Sequence, residues 1–337
     1  MKEPAVLEHF HKAIDHLCLL FEAKPQVIAS DLHPDYFSTQ YAMEKMEAEL
    51  VQVQHHHAHI VSCMVEHQLF DRVIGISADG VGLGTDKNIW GCEVMIADRA
   101  DFERVCHLEY FAMPGGDAAA RQTFRPAMGL LYNAFGGEIE EHPIAAKICP
   151  DSQTRKMILE MIQRKINSPL CSSLGRLFDA VACMIGVASM NHFEGEAPML
   201  LEALANLRSK EEYPFEIKEN IISIKPMIRQ IVADVESKVE TNIIADRFHN
   251  TVSAFLARAA IMNSQKYGIG DVVFSGGCFA NRNISRQLSE RLTAAGLRVF
   301  QHQRVPCNDG GIALGQAAVA AARIKMNFEH RTLNFEL

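Results

Sequence analysis

The stretch "RVIGISADGVGLGTDKNIWGCEVMIAD", Arg72 to Asp98, decides how the rest of the chain is read. The apolar run Val73 to Ala78 has the length of a buried strand, a Gly-rich turn follows, and a second apolar run from Ile89 to Ala97 returns. This is a hairpin with an unusual turn. A third strand is expected over Val105 to Phe111, and "DAAARQTFRPAMGLLYNAF", from Asp117, has helical spacing. Strand, strand, strand, helix is therefore the order here.

Toward the N-terminus, "LVQVQ" (Leu50 to Gln54) alternates as a strand does, and "HHAHIVSCMVEH" (His56 to His67) has helix periodicity. The histidines of "HHHAH" thus lie where a strand hands over to a helix. Further out come a helical pattern from about Val6 to Phe21, a short buried strand at "VIAS" (Val27 to Ser30) and a helix opening near Tyr36. Toward the C-terminus a mainly helical middle is interrupted by the polar "RSKEEYPFEIKENIISI" (Arg208 to Ile224), which reads as an exposed insertion. The strand of "DVVFSGG", a helix from about Asn281, the strand "LRVFQ" and an Ala-rich helix from about Gly310 to Ile324 follow. No internal repeat is visible in the sequence.

At 337 residues the chain suggests two lobes, at ~150 residues per domain. With 48% hydrophobic and 22% charged residues it has the balance of a globular protein, which excludes disordered and fibrous classes. Its longest apolar runs fall short of the ~20 residues of a membrane span, and "MKEPAVLEHF" lacks the apolar core of a secretory signal, so a cytoplasmic location is expected. The 9 cysteines form no C-x-x-C pair, which argues against a zinc finger or an obligatory disulfide framework. A net charge of -8 offers no general attraction to phosphate backbones, so neither nucleic acid nor membrane is an expected partner.

His55 and His59 are four apart and share one helix face, as paired metal-binding imidazoles do, while His56 and His57 cannot join that face. Helix capping or cleft hydrogen bonding is the equal alternative. Asp79 ends a strand before a Gly-rich turn and Asp309 opens a helix, places where α/β proteins put ligands; an Asp-Gly turn and an N-cap are the plainer readings. Gly80, Gly82 and Gly84 on alternate positions can bring backbone amides onto a phosphate or simply make a tight hairpin turn. Ser275, Gly276 and Gly277 end a strand ahead of a helix beginning near Asn281, where anions bind readily. Asp117 and Arg121 either pair with each other or hold a ligand, and Asp179, inside an apolar helix, requires Arg176, a metal or a ligand as partner. No nucleophile elbow, phosphate-binding P-loop or dinucleotide fingerprint occurs, so no catalytic nucleophile is assigned within the chain.

Taken together, "DLHPDYFSTQYA", "VQHHHAHIVS", "DGVGLGTDKNIWGCE", "MPGGDAAARQTFR", "SSLGRLFDAVA", "FEGEAPMLLE", "RFHNTVSAF" and "SGGCFANR" resemble the C-terminal transferase domain of the HypF family, across nearly the whole chain. HypF proteins are carbamoyltransferases of [NiFe]-hydrogenase maturation. The resemblance implies an α/β, actin-like (ASKHA) two-lobed fold with ligand between the lobes. It implies a divalent metal (iron, zinc or magnesium) on His55, His59 and Asp309, with Asp79 a further ligand. It also implies ATP or carbamoyl adenylate held by Gly80 to Gly84 and Ser275 to Gly277, with Asp117, Arg121, Gly175 and Asp179 nearby. The implied reaction moves a carbamoyl group from carbamoyl adenylate to the C-terminal cysteine of HypE, the adenylate-forming domain acting in cis or in trans.

An actin-like lobe normally opens with a strand hairpin, and this sequence reaches its first strand near Val27 after a helix. A first lobe lacking its opening strands is therefore expected over residues 1–70, a second lobe with a helical insertion over 71–325 and a tail over 326–337. The alternatives are an O-carbamoyl or tRNA threonylcarbamoyl transferase, against which the acidic charge stands for tRNA, and a non-catalytic nucleotide-binding assembly module.

Overall fold

The computed structural model describes residues 4–44 and 48–333. Its strands are β1 (Val27–Asp31), β2 (Glu49–Val53), β3 (Val73–Leu83), β4 (Ile89–Ala97), β5 (Phe102–Leu108), β6 (Phe111–Ala112), β7 (Leu170–Cys171), β8 (Glu216–Lys218), β9 (Ile221–Ser223), β10 (Asp271–Ser275) and β11 (Arg298–Phe300). The main sheet runs β11-β10-β3-β4-β5-β9-β8, with β6 and β7 attached at β4; β1 and β2 form a separate parallel pair.

Side-chain alternation explains why the main sheet is covered on both faces. Ile74, Ile76, Ala78, Cys92, Val94 and Ile96 turn to the larger core, against the helices Leu174–Met184 and Thr241–Tyr267. Val73, Met95, Ala97 and Val273 turn the other way, onto Ile60, Val61 and Met64 of the helix His55–Glu66. A Cβ at Gly75 would lie 2.9 Å from Ile60 Cγ1, so glycine there lets that helix approach β3 closely.

The chain uses one unit twice. β1, the helix Phe37–Glu44, β2 and the helix His55–Glu66 repeat the order of β10, the helix Arg282–Ala294, β11 and the helix Ile312–Leu333, with parallel pairing in both. The two closing helices pack together so tightly that a Cβ at Gly315 would sit 1.9 Å from Ala58 O. The helix Ile312–Leu333 also contacts β1 and β2, so the chain returns from the large lobe to the small one. Two βαβ lobes joined through their last helices make an actin-like architecture. The C-terminal ends of β1, β3 and β10 converge between them, where such sheets bind ligands.

Three expectations are corrected. β3 does not stop at Ala78; it continues to Leu83 through a bulge between Ala78 and Gly82, and the turn spans residues 84–88. The polar segment from Arg208 is mostly exposed, as expected, but it is not a separate insertion, because Tyr213, Ile222 and Ile224 are buried and β9 pairs with β5 as part of the main sheet. The last helix extends beyond Ile324 to Leu333, into the residues expected to be a tail; residues 334–337 lie outside the described ones. Among the described residues, no helix is long and apolar enough to cross a membrane.

Candidate functional site

Gln54 starts the site. Its extended backbone follows β2, and its side chain accepts the amide of His57, capping the helix that carries the histidines. The first turn then aims the imidazoles differently. His57 Nε2 reaches Asp98 O at 2.8 Å, and His56 Nδ1 meets the Gln54 amide at 3.2 Å, so neither joins the cleft cluster. His55 and His59 face the cleft, with ring centroids 5.0 Å apart.

Two carboxylates complete the cluster. Asp79 Oδ2 lies 3.3 Å from His55 Nε2 and 3.4 Å from His59 Nε2, while Asp309 Oδ1 is 3.6 Å from both. One donor atom from each of the four residues lies within 4.8 Å of all the others. Both Nε2 atoms are buried without a hydrogen-bond partner among the described residues, an arrangement that a metal ion would satisfy. The nitrogen and oxygen donors suit a divalent first-row metal.

The electrostatics follow from the same geometry. Burial works against a charged His55, but Asp309, Asp31 and Asp79 outweigh it and hold the imidazolium well above its ordinary pKa. Burial likewise opposes ionisation of Asp79, and the two imidazoles prevail and keep it well below the carboxylate range. The nearby His55 and His59 imidazoles likewise hold the Asp309 carboxyl below its ordinary range. Two carboxylates facing two imidazoles are a charge set that protons on the rings or one divalent cation can neutralise.

Sequence reasoning missed Asp31. Its Oδ2 lies 2.8 Å from His55 Nδ1 and its Oδ1 accepts the His33 amide at 2.9 Å. The signal was present: Asp31 ends a strand, the same logic that singled out Asp79. Tyr36, Arg176 and Asn191 were also not assigned, and they line a cavity of about 400 Å³ beside the cluster together with Asp79, Gly80, Val81, Arg121, Phe193 and Asp309. Burial raises the Tyr36 hydroxyl pKa, which keeps its proton on.

The other expected nucleotide residues fall into groups. Gly80 and Arg121 line the cavity. Asp179 is fully buried, pairing with Arg176 at 3.0 Å and accepting from Asn191 at 2.9 Å, so it supports two lining residues from behind. A Cβ at Gly175 would lie 2.9 Å from Gly80 Cα, so Gly175 allows the helix to meet the strand. Gly82 packs under His56 and Gly84 against Trp90, where Cβ atoms would approach to 2.6 and 2.1 Å. The Gly277 amide donates to Asp79 Oδ1 at 3.0 Å and fixes that carboxylate. Gly276 donates to Cys307 O, Ser275 Oγ meets His302, and Asn281 caps the next helix while reaching His249, all away from the cavity lining. Asp117 is exposed at the start of the short helix Ala118–Arg121 and does not line the cavity.

The fold and this cleft define a class: an actin-like domain of the Kae1-like kind. Residues 1–66 match the family model described as the HypF Kae1-like domain, and residues 75–316 match that of the carbamoyltransferase Kae1-like domain, second subdomain. The chain belongs to the HypF family. It is 36% identical to carbamoyltransferase HypF2 of Cupriavidus necator over 95% of this chain and 42% of that protein. It is 35% identical to the carbamoyltransferase HypF homolog of the same organism, over 95% of this chain and 84% of that one. The crystal structure of full-length HypF in its phosphate- and nucleotide-bound form superposes with a TM-score of 0.90 at 41% identity, covering 95% of this chain and 50% of that one. That of T. kodakarensis HypF gives 0.86 at 33% identity, covering 94% and 43%. The chain thus spans about half the length of most of the relatives it matches.

Proposed function

We propose that this chain is a carbamoyl-transfer module that moves a carbamoyl group from carbamoyl adenylate to the C-terminal cysteine of HypE, in the cytoplasm. The observation that carries the reading is the four-donor cluster of His55, His59, Asp79 and Asp309 at the edge of a cavity walled by Arg121 and Arg176. The four residues hold one divalent cation. Their imidazoles favour iron or zinc over magnesium, which takes oxygen donors. When bound, the cation supplies Lewis-acid polarisation and charge neutralisation.

The chain's own residues supply positioning. The Arg121 and Arg176 guanidiniums face the adenylate phosphate, and Gly80 lets its backbone come close to the ligand. Tyr36 donates a hydrogen bond from its retained proton. Gly82, Gly84, Gly175, Asp179, Ser275, Gly276, Gly277 and Asn281 keep these groups in place. The nucleophile is the partner's thiolate, in keeping with a cavity lined, among the described residues, by no serine or cysteine. The first lobe closes with the helix His55–Glu66 and the second runs from β3 to the helix Ile312–Leu333, and the adenylate-forming domain acts in cis or in trans.

Mass spectrometry of HypE tests this. With carbamoyl adenylate supplied, the chain should yield a thiocarbamate on the C-terminal cysteine, and Asp79→Ala should not. No product from the wild-type chain would leave a non-catalytic nucleotide-binding module.

A further inference from the structure

Three members of the cluster are buried in regular structure, whereas the Asp309 side chain is 75% exposed and follows an irregular loop, residues 301–308. Glu66, the last residue of the helix whose first turn carries His55 and His59, holds the middle of that loop, while His67 meets Gln301 O at its start. One Glu66 oxygen accepts the backbone amides of Gln303 and Arg304, at 3.0 and 2.5 Å, and the other meets His302 Nδ1 at 3.0 Å. His302 Nε2 in turn lies 2.8 Å from Ser275 Oγ.

The line Ser275, His302, Glu66 has the hydrogen-bond order of a nucleophilic triad. Ser275 is fully buried and outside the cavity lining, so a substrate carbonyl has no approach to it. The line therefore fastens rather than attacks. It ties the loop to the helix at one end and to β10 at the other, where the Gly276 amide also donates to Cys307 O at 2.8 Å.

We propose that Glu66 and His302 are positioning residues for the metal centre, coupling the loop that ends in Asp309 to the helix that carries His55 and His59. The helix is a rigid ruler: Glu66 is seven residues beyond His59, about 10 Å along the axis at ~1.5 Å per residue. Downstream, Gly315 against Ala58 fixes the other side of Asp309. Releasing Glu66 removes the tie at residues 302–304, leaves the upstream side held only through Gln301 and Cys307, and loosens the placement of Asp309 against the imidazoles. The inference rests on the metal reading above.

The test is Zn²⁺ affinity by competition with a chromophoric chelator, on the wild-type chain, Glu66→Ala, Asp309→Ala and the double variant. Glu66→Ala should weaken Zn²⁺ by roughly tenfold or more, as loss of outer-shell support does. The double variant should bind no more weakly than Asp309→Ala alone, since Glu66 acts only through Asp309. Glu66→Gln, whose amide oxygen still accepts from Gln303 and Arg304, should restore most of the affinity. Should Glu66→Ala fail to fold, His302→Ala carries the same comparison. Wild-type affinity in Glu66→Ala, or additive losses in the double variant, would overturn the proposal. Absence of Zn²⁺ binding by the wild-type chain would overturn the metal reading itself and this inference with it.

Discussion

Asp31 Oδ2 stands 2.8 Å from His55 Nδ1 and so joins the end of β1 to the first residue of the helix His55–Glu66. A carboxylate behind an imidazole fixes the ring's orientation and leaves the opposite nitrogen, Nε2, aimed at Asp79 and Asp309.

Asp31→Ala should therefore weaken divalent-metal binding by about 10- to 100-fold while the helix His55–Glu66 persists. Asp31→Asn, which retains an acceptor oxygen, should lose less. Calorimetric titration with Zn²⁺ reads both; equal affinity in wild type and Asp31→Ala would remove the orienting role.

Gly276 has φ +115°, and a Cβ there would come within 2.2 Å of Ala78 O. Gly276→Ala should destabilise the chain by about 2 kcal/mol or more. It should also disturb Asp79, which the next amide holds. Gly136, at φ +65° with nothing within 4 Å, is the control: Gly136→Ala bears only the backbone term, about 1 kcal/mol. Urea unfolding measures the difference, and equal losses would contradict the close contact at Gly276.

Glu93 is fully buried in β4, and burial outweighs the nearby Arg104 guanidinium and the Ser172 hydroxyl, pushing its carboxyl up to about 8. In the unfolded chain the same group ionises near pH ~4.3. Between those values the folded state holds a proton that the unfolded state has released, so this group's contribution to stability falls as pH rises to about 8 and is level above it. Glu93→Gln removes the titration and keeps an acceptor for Ser172. Its stability relative to wild type should rise between about pH 5 and pH 9. Unfolding curves at the two pH values giving the same difference would show that Glu93 ionises normally.

Local signals carried much of the architecture. The paired apolar runs around "ADGVGLG" did mark β3 and β4, and the strand-to-helix handover did place His55 and His59 on one face. Long-range placement was not legible in the same way. Gly82 and Gly84 look like a phosphate loop in sequence, yet their missing Cβ atoms make room for His56 and Trp90, side chains that only the folded sheet brings there. Glu66 and His302 are 236 positions apart and carry no motif. The repeated βαβ unit also escaped the sequence, because its two copies share pairing and order rather than residues.

Metal content separates a cation held by His55, His59, Asp79 and Asp309 from a cluster neutralised by protons alone. It is read by elemental analysis of the chain, purified without a histidine tag, beside a His55→Ala, His59→Ala double variant. Near-stoichiometric divalent metal is expected in the wild type and its loss in the variant, with both folded. Equal metal content in the two proteins, or none in the wild type after exposure to Fe²⁺ or Zn²⁺, would contradict it.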